Sequence, residues 1–371
     1  MSRNLSVFLD LLRLFAAMLV LIGHAGEVYQ LQLPAMIGHS AKEGVAIFFV
    51  LSGFVIAFVA QNKEKDWRAF ARARALRMYS VVPLAVAVLV LCYALGVAFD
   101  PQAYAAGSVS LRAGAIGEPP GGWLLLRYLT FTNEIWFDRA MISTGAPFWS
   151  LGYEVAYYVG FAVMFYGRGV RRWVLAGLWL AVCGPRIILA FPLWLLGVAA
   201  WSVVRRGMRM KRAHALAALS LVALTAIILR KWCAAVAMPL FEWAEAGRLA
   251  ASMGYYLSLG LLLAAAIVIL ASAAVDRSIW PRRLEGVVRF CAGASFTLYI
   301  AHLPVMVLIS VMWPGSNGSL LGGLTATALT FVITLSLAEL GERRKAGYAK
   351  FFSKISMWVP VKNKESIPAI D

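Results

Sequence analysis

Arg13 and His24 stand eleven residues apart in an otherwise apolar stretch near the start of the chain, with Asp10 three residues before the arginine. On one helix that separation is about three turns, or roughly 16 Å of rise, and it returns the two side chains nearly to the same face. The stripe offers a permanent cation at one level and, further along, an imidazole that can exchange a proton near neutral pH. Guanidinium groups bind anions, and a neutral imidazole can take a proton from a hydroxyl. Asp10 and Arg13, at i and i+3, share a face and can pair. A structural ion pair with a histidine at the far membrane interface fits the same residues, and the helix alone does not choose between the two.

Other groups repeat the pattern. Ser52 and Gly53 lie inside the run GVAIFFVLSGF (44–54), where small residues admit a close helix or a close ligand. Arg72, Arg74 and Arg77 lead into a third apolar stretch. Arg74 and Arg77 can converge on one anion, and their forks match phosphate oxygens; a basic anchor at the membrane surface explains them equally well. The run Trp149-Ser150-Leu151-Gly152-Tyr153-Glu154 places a carboxylate in an apolar segment, and Ser295, Tyr299 and His302 recur at i, i+4 and i+7. One buried tyrosine or histidine is usually a satisfied core residue. Three on one face, with a glutamate elsewhere, argue for a shared polar cavity. The remaining histidines, His39 and His214, form no HExxH pair, so no metal site is predicted, and no glycine-rich nucleotide loop is present. A proteolytic Ser52–His302 dyad lacks the GxSG surround it would need.

The elements that must carry these residues are set by composition. Hydrophobic residues are 61% of the 371 and charged ones 14%, too little charge to cover a soluble protein of this size. Apolar stretches lie near 5–24, 43–60, 79–99, 147–166, 171–185, 187–204, 213–230, 252–275, 287–312 and 320–340. The first contains Asp10 and Arg13 and reads as a retained helix rather than a cleaved leader. The sequence thus predicts an all-α integral membrane protein, a bundle of about ten transmembrane helices with both termini cytoplasmic. Residues 1–340 form the transmembrane domain and 341–371 a basic tail, whose Phe351, Phe352 and Trp358 suit the inner leaflet.

The net charge of +17 would suggest nucleic acid in a soluble protein. Here the basic residues sit between apolar runs, so the predicted partner is the lipid bilayer and nucleic acid is not. On alternate connections, the outer side holds only Lys42, Arg112, Arg127, Arg139, Arg186, Arg230, Lys231 and Arg248; apart from Arg13, the other lysines and arginines fall inside. That asymmetry follows the positive-inside rule for an even number of spans. The long outer connection 100–146 reads as an interfacial or re-entrant cover over an opening. Cys92, Cys183, Cys233 and Cys291 have no paired spacing and predict neither disulfides nor zinc.

With these residues assembled, the chain resembles the integral membrane acyltransferase 3 family. Asp10-Leu11-Leu12-Arg13 followed by His24 is similar to its LDxLRx…H opening with Arg-x10-His. Residues 44–54 resemble its GVxxFFxLSGF segment, WSLGYE (149–154) its WSLxxE segment, and SFTLYIAH (295–302) its SxxLYxxH segment. The four follow in the family's order over residues 5–340. Two positions depart: Val155 stands where a second acidic residue often follows, and Pro83 comes later after Arg77 than is usual. The extracytoplasmic hydrolase-like domain of many relatives has no counterpart here, so the chain reads as a stand-alone membrane version.

The resemblance implies an enzyme of a bacterial inner membrane that moves an acyl group, commonly acetyl, from cytoplasmic acyl-CoA to a hydroxyl. The acceptor would be a cell-surface polysaccharide, a lipid-linked sugar or a similar molecule. It needs no permanently bound cofactor; acetyl-CoA is a substrate. By this reading Arg13, Arg72, Arg74, Arg77 and Ser52 bind acyl-CoA. His24, Glu154, Tyr299 and Ser295 carry the chemistry, with His24 as general base, while Asp10 (holding Arg13), Trp149 and His302 support them. Glu154 would orient His24 or bind the acceptor, and Tyr299 or Ser295 would steady an oxyanion. A proton-coupled transporter or flippase using the same intramembrane polar residues is the competing class.

Overall fold

The structure is a computed structural model. It describes residues 2–34, 40–106, 116–207, 246–272 and 280–355, with scattered positions between 214 and 228. Among them helices account for nearly all regular structure, and the only bridge is an isolated one between Glu118 and Ile142. The helices are α1 (Arg3–Val28), α2 (Ala41–Asn62), α3 (Trp67–Tyr79), α4 (Val82–Phe99), α5 (Gly122–Thr130), α6 (Trp149–Tyr166), α7 (Gly169–Cys183), α8 (Pro185–Val204), α9 (Ala246–Ser272), α10 (Arg282–Ala292), α11 (Ser295–Met312), α12 (Leu320–Leu340) and α13 (Lys345–Ile355).

Seven helical segments among the described residues are long and apolar enough to cross a membrane: α1, α2, the α3–α4 run, α8, α9, α11 and the run that begins with α12. Of the other expected spans, α6 is diluted by Glu154 and its tyrosines, and α7 has only 15 residues. The stretch 213–230 lies mostly outside the described residues, and His39, Cys233 and Trp358 lie wholly outside them.

The stretch 287–312 is not one span. It breaks at Gly293–Ala294 into amphipathic α10, which carries Arg282, Arg283, Glu285 and Arg289, and apolar α11. Its four charged residues keep α10 at the rim, whereas α11 is buried along nearly its whole length. Helix α11 packs against α1, α4 and α12, which places Ser295, Tyr299 and His302 at the centre of the bundle.

Small residues bring the site-bearing helices together. A Cβ on Gly53 of α2 would collide with the Trp194 carbonyl of α8, and one on Gly197 would collide with the Val50 carbonyl. Such contacts let two backbones approach where lipid supplies no hydrophobic drive. At the start of α3, Asp66 accepts hydrogen bonds from the amides of Arg68 and Ala69 at 2.8 and 2.9 Å. This cap fixes the helix that carries Arg72, Arg74 and Arg77. Within the long connection, the Ile142 amide donates to the Tyr128 hydroxyl at 2.9 Å, and the Tyr79 hydroxyl of α3 ties the segment to the bundle by donating to the Leu129 carbonyl at 2.9 Å. Trp123 and Leu126 of α5 stay exposed.

Candidate active site

Helix α1 delivers His24 and α11 delivers His302, and the two imidazoles meet with Nδ1 of His24 2.9 Å from Nε2 of His302. His302 is fully buried. Its Nδ1 lies 3.0 Å from the Leu298 carbonyl and 2.8 Å from that of Tyr299. Carbonyls only accept, so Nδ1 of His302 carries its proton and Nε2 is left as an acceptor. His24 must then donate from Nδ1, which leaves the lone pair on its Nε2. The network therefore leaves Nε2 as the acceptor nitrogen of His24.

Towards the Arg13 end lies a small cavity of about 80 Å³, partly open to solvent. Arg13, Arg74 and Arg77 line it, together with Ser52, Glu154 and Ser295. Glu154 accepts from Ser52 at 2.8 Å and from the Tyr158 hydroxyl, both at Oε1. Trp194 donates to Ser52 at 3.2 Å. Nε of Arg74, Nε of Arg77 and Oγ of Ser295 are buried without a hydrogen-bond partner among the described residues. Buried donors of this kind are seldom left unused in a folded protein.

The cavity's lining also includes Phe48 and Tyr299, whose rings meet edge to face at 5.3 Å. The Tyr299 ring lies 6.4 Å from that of His302. Neither imidazole lines the cavity; Tyr299 is the lining residue whose ring faces His302. The Tyr299 hydroxyl sits 2.8 Å from Ser150 Oγ, and Ser150 donates to the Pro147 carbonyl at 3.2 Å, so Tyr299 donates to Ser150.

Several expected contacts differ. Asp10 does not pair with Arg13: it lies 3.4 Å from Arg289, because α10 packs along α1 and brings its own arginine closer. Arg13 pairs instead with Glu342 at 3.7 Å. Glu154 makes no hydrogen bond to His24 among the described residues; the partner of His24 is His302. Arg72 is exposed on α3 and does not line the cavity. Ser295 is seven residues from His302, about 10 Å along the helix, so it serves the cavity rather than the imidazoles. Trp149 packs against Phe49 and Tyr153 at the end of α6.

Sequence reasoning passed over Tyr158, Trp194, Glu64 and Glu342. The i, i+4 spacing of Glu154 and Tyr158 is a usable signal. Trp194 and Glu342 come from distant segments and carry none.

The family model for an acyltransferase domain matches residues 6–339, a range that contains every residue of the cavity and both facing histidines. Glu342 lies three residues past its end. Neither the comparison with curated proteins nor that with solved structures returned a match. A match over most of the chain, on a helical bundle apolar enough to lie in a membrane, shows that this protein belongs to the acyltransferase 3 family.

Proposed function

We propose that the protein moves an acyl group, acetyl in the simplest case, from acyl-CoA to a hydroxyl of a surface polysaccharide, lipid-linked sugar or similar acceptor. The observation that carries this reading is the placement of two features in one bundle: a cavity lined by arginines with unused donors, and beyond Tyr299 the His24 imidazole, hydrogen-bonded through Nδ1 to His302. Arg13, Arg74 and Arg77 bind the phosphates of CoA from the cytoplasmic side. The pantetheine arm lies along the cavity past Ser52 and Ser295, and the thioester passes Phe48 and Tyr299 to reach His24.

Nε2 of His24 takes the proton of the acceptor hydroxyl as its oxygen attacks the thioester carbonyl. The tetrahedral intermediate collapses to the ester and expels the CoA thiolate, which recovers the proton from the imidazolium. His302 holds the reactive tautomer and accepts from His24 throughout. Glu154 and Ser52 shape the donor's passage. The test is transfer from labelled acetyl-CoA to the membrane fraction by wild type and His24→Ala. Loss of transfer in the variant is expected, and undiminished transfer would remove His24 from the chemistry.

A further inference from the structure

The geometry points to Glu342 as a resident counter-ion of the donor site, one that holds Arg13 while the site is empty and yields it to an arriving phosphate. This inference rests on the acyl-CoA reading. Glu342 lies just past residues 6–339, the range of the family match, in the short segment between α12 and α13.

Its two carboxylate oxygens have different tasks. Oε2 accepts from the Phe296 amide at 3.2 Å, the Thr297 amide at 3.0 Å and the Thr297 hydroxyl at 3.2 Å. Glu342 therefore caps the start of α11, the helix that carries Ser295, Tyr299 and His302, and is firmly anchored there. Oε1 faces Arg13 at 3.7 Å, an ion pair without a direct hydrogen bond. Both side chains are largely shielded, at 23% and 16% exposure for Arg13 and Glu342. A shielded guanidinium is costly to leave uncompensated, so an empty site needs an anion beside Arg13.

The neighbouring cations are placed differently. Arg74 is hydrogen-bonded to Glu64 at 2.6 Å. Arg77 has no carboxylate within ion-pair distance among the described residues, and its guanidinium lies over the Phe296 ring. Arg13 is thus the cavity arginine with a partner close enough to neutralise it and loose enough to exchange. When phosphate arrives, Arg13 turns to it while Glu342 stays on α11. The carboxylate then repels the bound anion, which weakens donor binding and speeds release of CoA.

Unacylated CoA is the probe, titrated by calorimetry into purified protein, with thermal unfolding measured at each end point. Glu342→Gln keeps an oxygen for the α11 amides but loses the charge. It should bind CoA about 3- to 10-fold more tightly than wild type, the scale of one partly screened charge at short range. It should also melt lower when empty and gain more from CoA. Glu342→Asp, which keeps the charge, should not bind more tightly. Unchanged or weaker binding by a folded Glu342→Gln overturns the counter-ion role, because a purely structural cap has no way to improve affinity. If that variant does not fold, Arg13→Gln compared with Arg13→Gln/Glu342→Gln carries the same test without stranding a guanidinium; equal affinities overturn the proposal. Failure of wild type itself to bind CoA removes the acyl-CoA reading, a result distinct from either.

Discussion

Among single residues, the decisive feature is a proton count on two imidazoles. Two carbonyls fix the proton of His302 on Nδ1, and this fixes which nitrogen of His24 is free. A positioning role of this kind makes His302→Ala a test that separates chemistry from donor binding. Turnover should fall about 100-fold or more with the KM for acetyl-CoA little changed, since proton transfer by a well-placed base contributes on that order. Steady-state kinetics in membranes would check it. The arginines divide by the same logic. Arg77→Ala should raise that KM about 10-fold or more, because it strips the cavity of a shielded donor. Arg72→Ala, on the exposed face of α3, should leave it nearly unchanged.

Between elements, the connection before α6 meets the bundle at a buried glutamate–arginine contact. Glu134 and Arg186 lie 3.3 Å apart, at 7% and 8% side-chain exposure, and join that connection to the start of α8. Burial outweighs the attraction of Arg186 and pushes the Glu134 carboxyl up to about 7 from 4.5. A carboxyl whose folded pKa is raised favours the fold while protonated. Its contribution is complete below about pH 4.5 and is lost as the pH rises through 7. Thermal unfolding in detergent should therefore show a higher midpoint at pH 5.5 than at pH 8, and Glu134→Gln should flatten that difference.

If the proposed acyl-CoA donor is right, the bundle as a unit must present its arginine cavity to the compartment that holds acyl-CoA. The charge asymmetry of the sequence predicts that this end is cytoplasmic. Single cysteines at Lys65 and Arg139, both exposed positions expected on opposite sides of the membrane, test this in a background with the native cysteines replaced. An impermeant maleimide should label position 139 in intact cells and position 65 only after permeabilisation. The reverse pattern would turn the donor site away from its substrate.

Periodicity and local spacing were enough to place apolar helices around Arg13, His24, Glu154 and Tyr299, to put Ser295, Tyr299 and His302 on one face, and to carry the motifs of the family. These features depend on residues near one another in the chain, where helix geometry is fixed. Which helices touch was not legible in that way. Packing paired His24 with His302 across 278 positions, gave Asp10 to Arg289 rather than Arg13, and closed Glu342 over the start of α11. Helix propensity says nothing about which carboxylate lies nearest a given arginine. That follows from close approach at residues such as Gly53 and Gly197, and from where each helix ends.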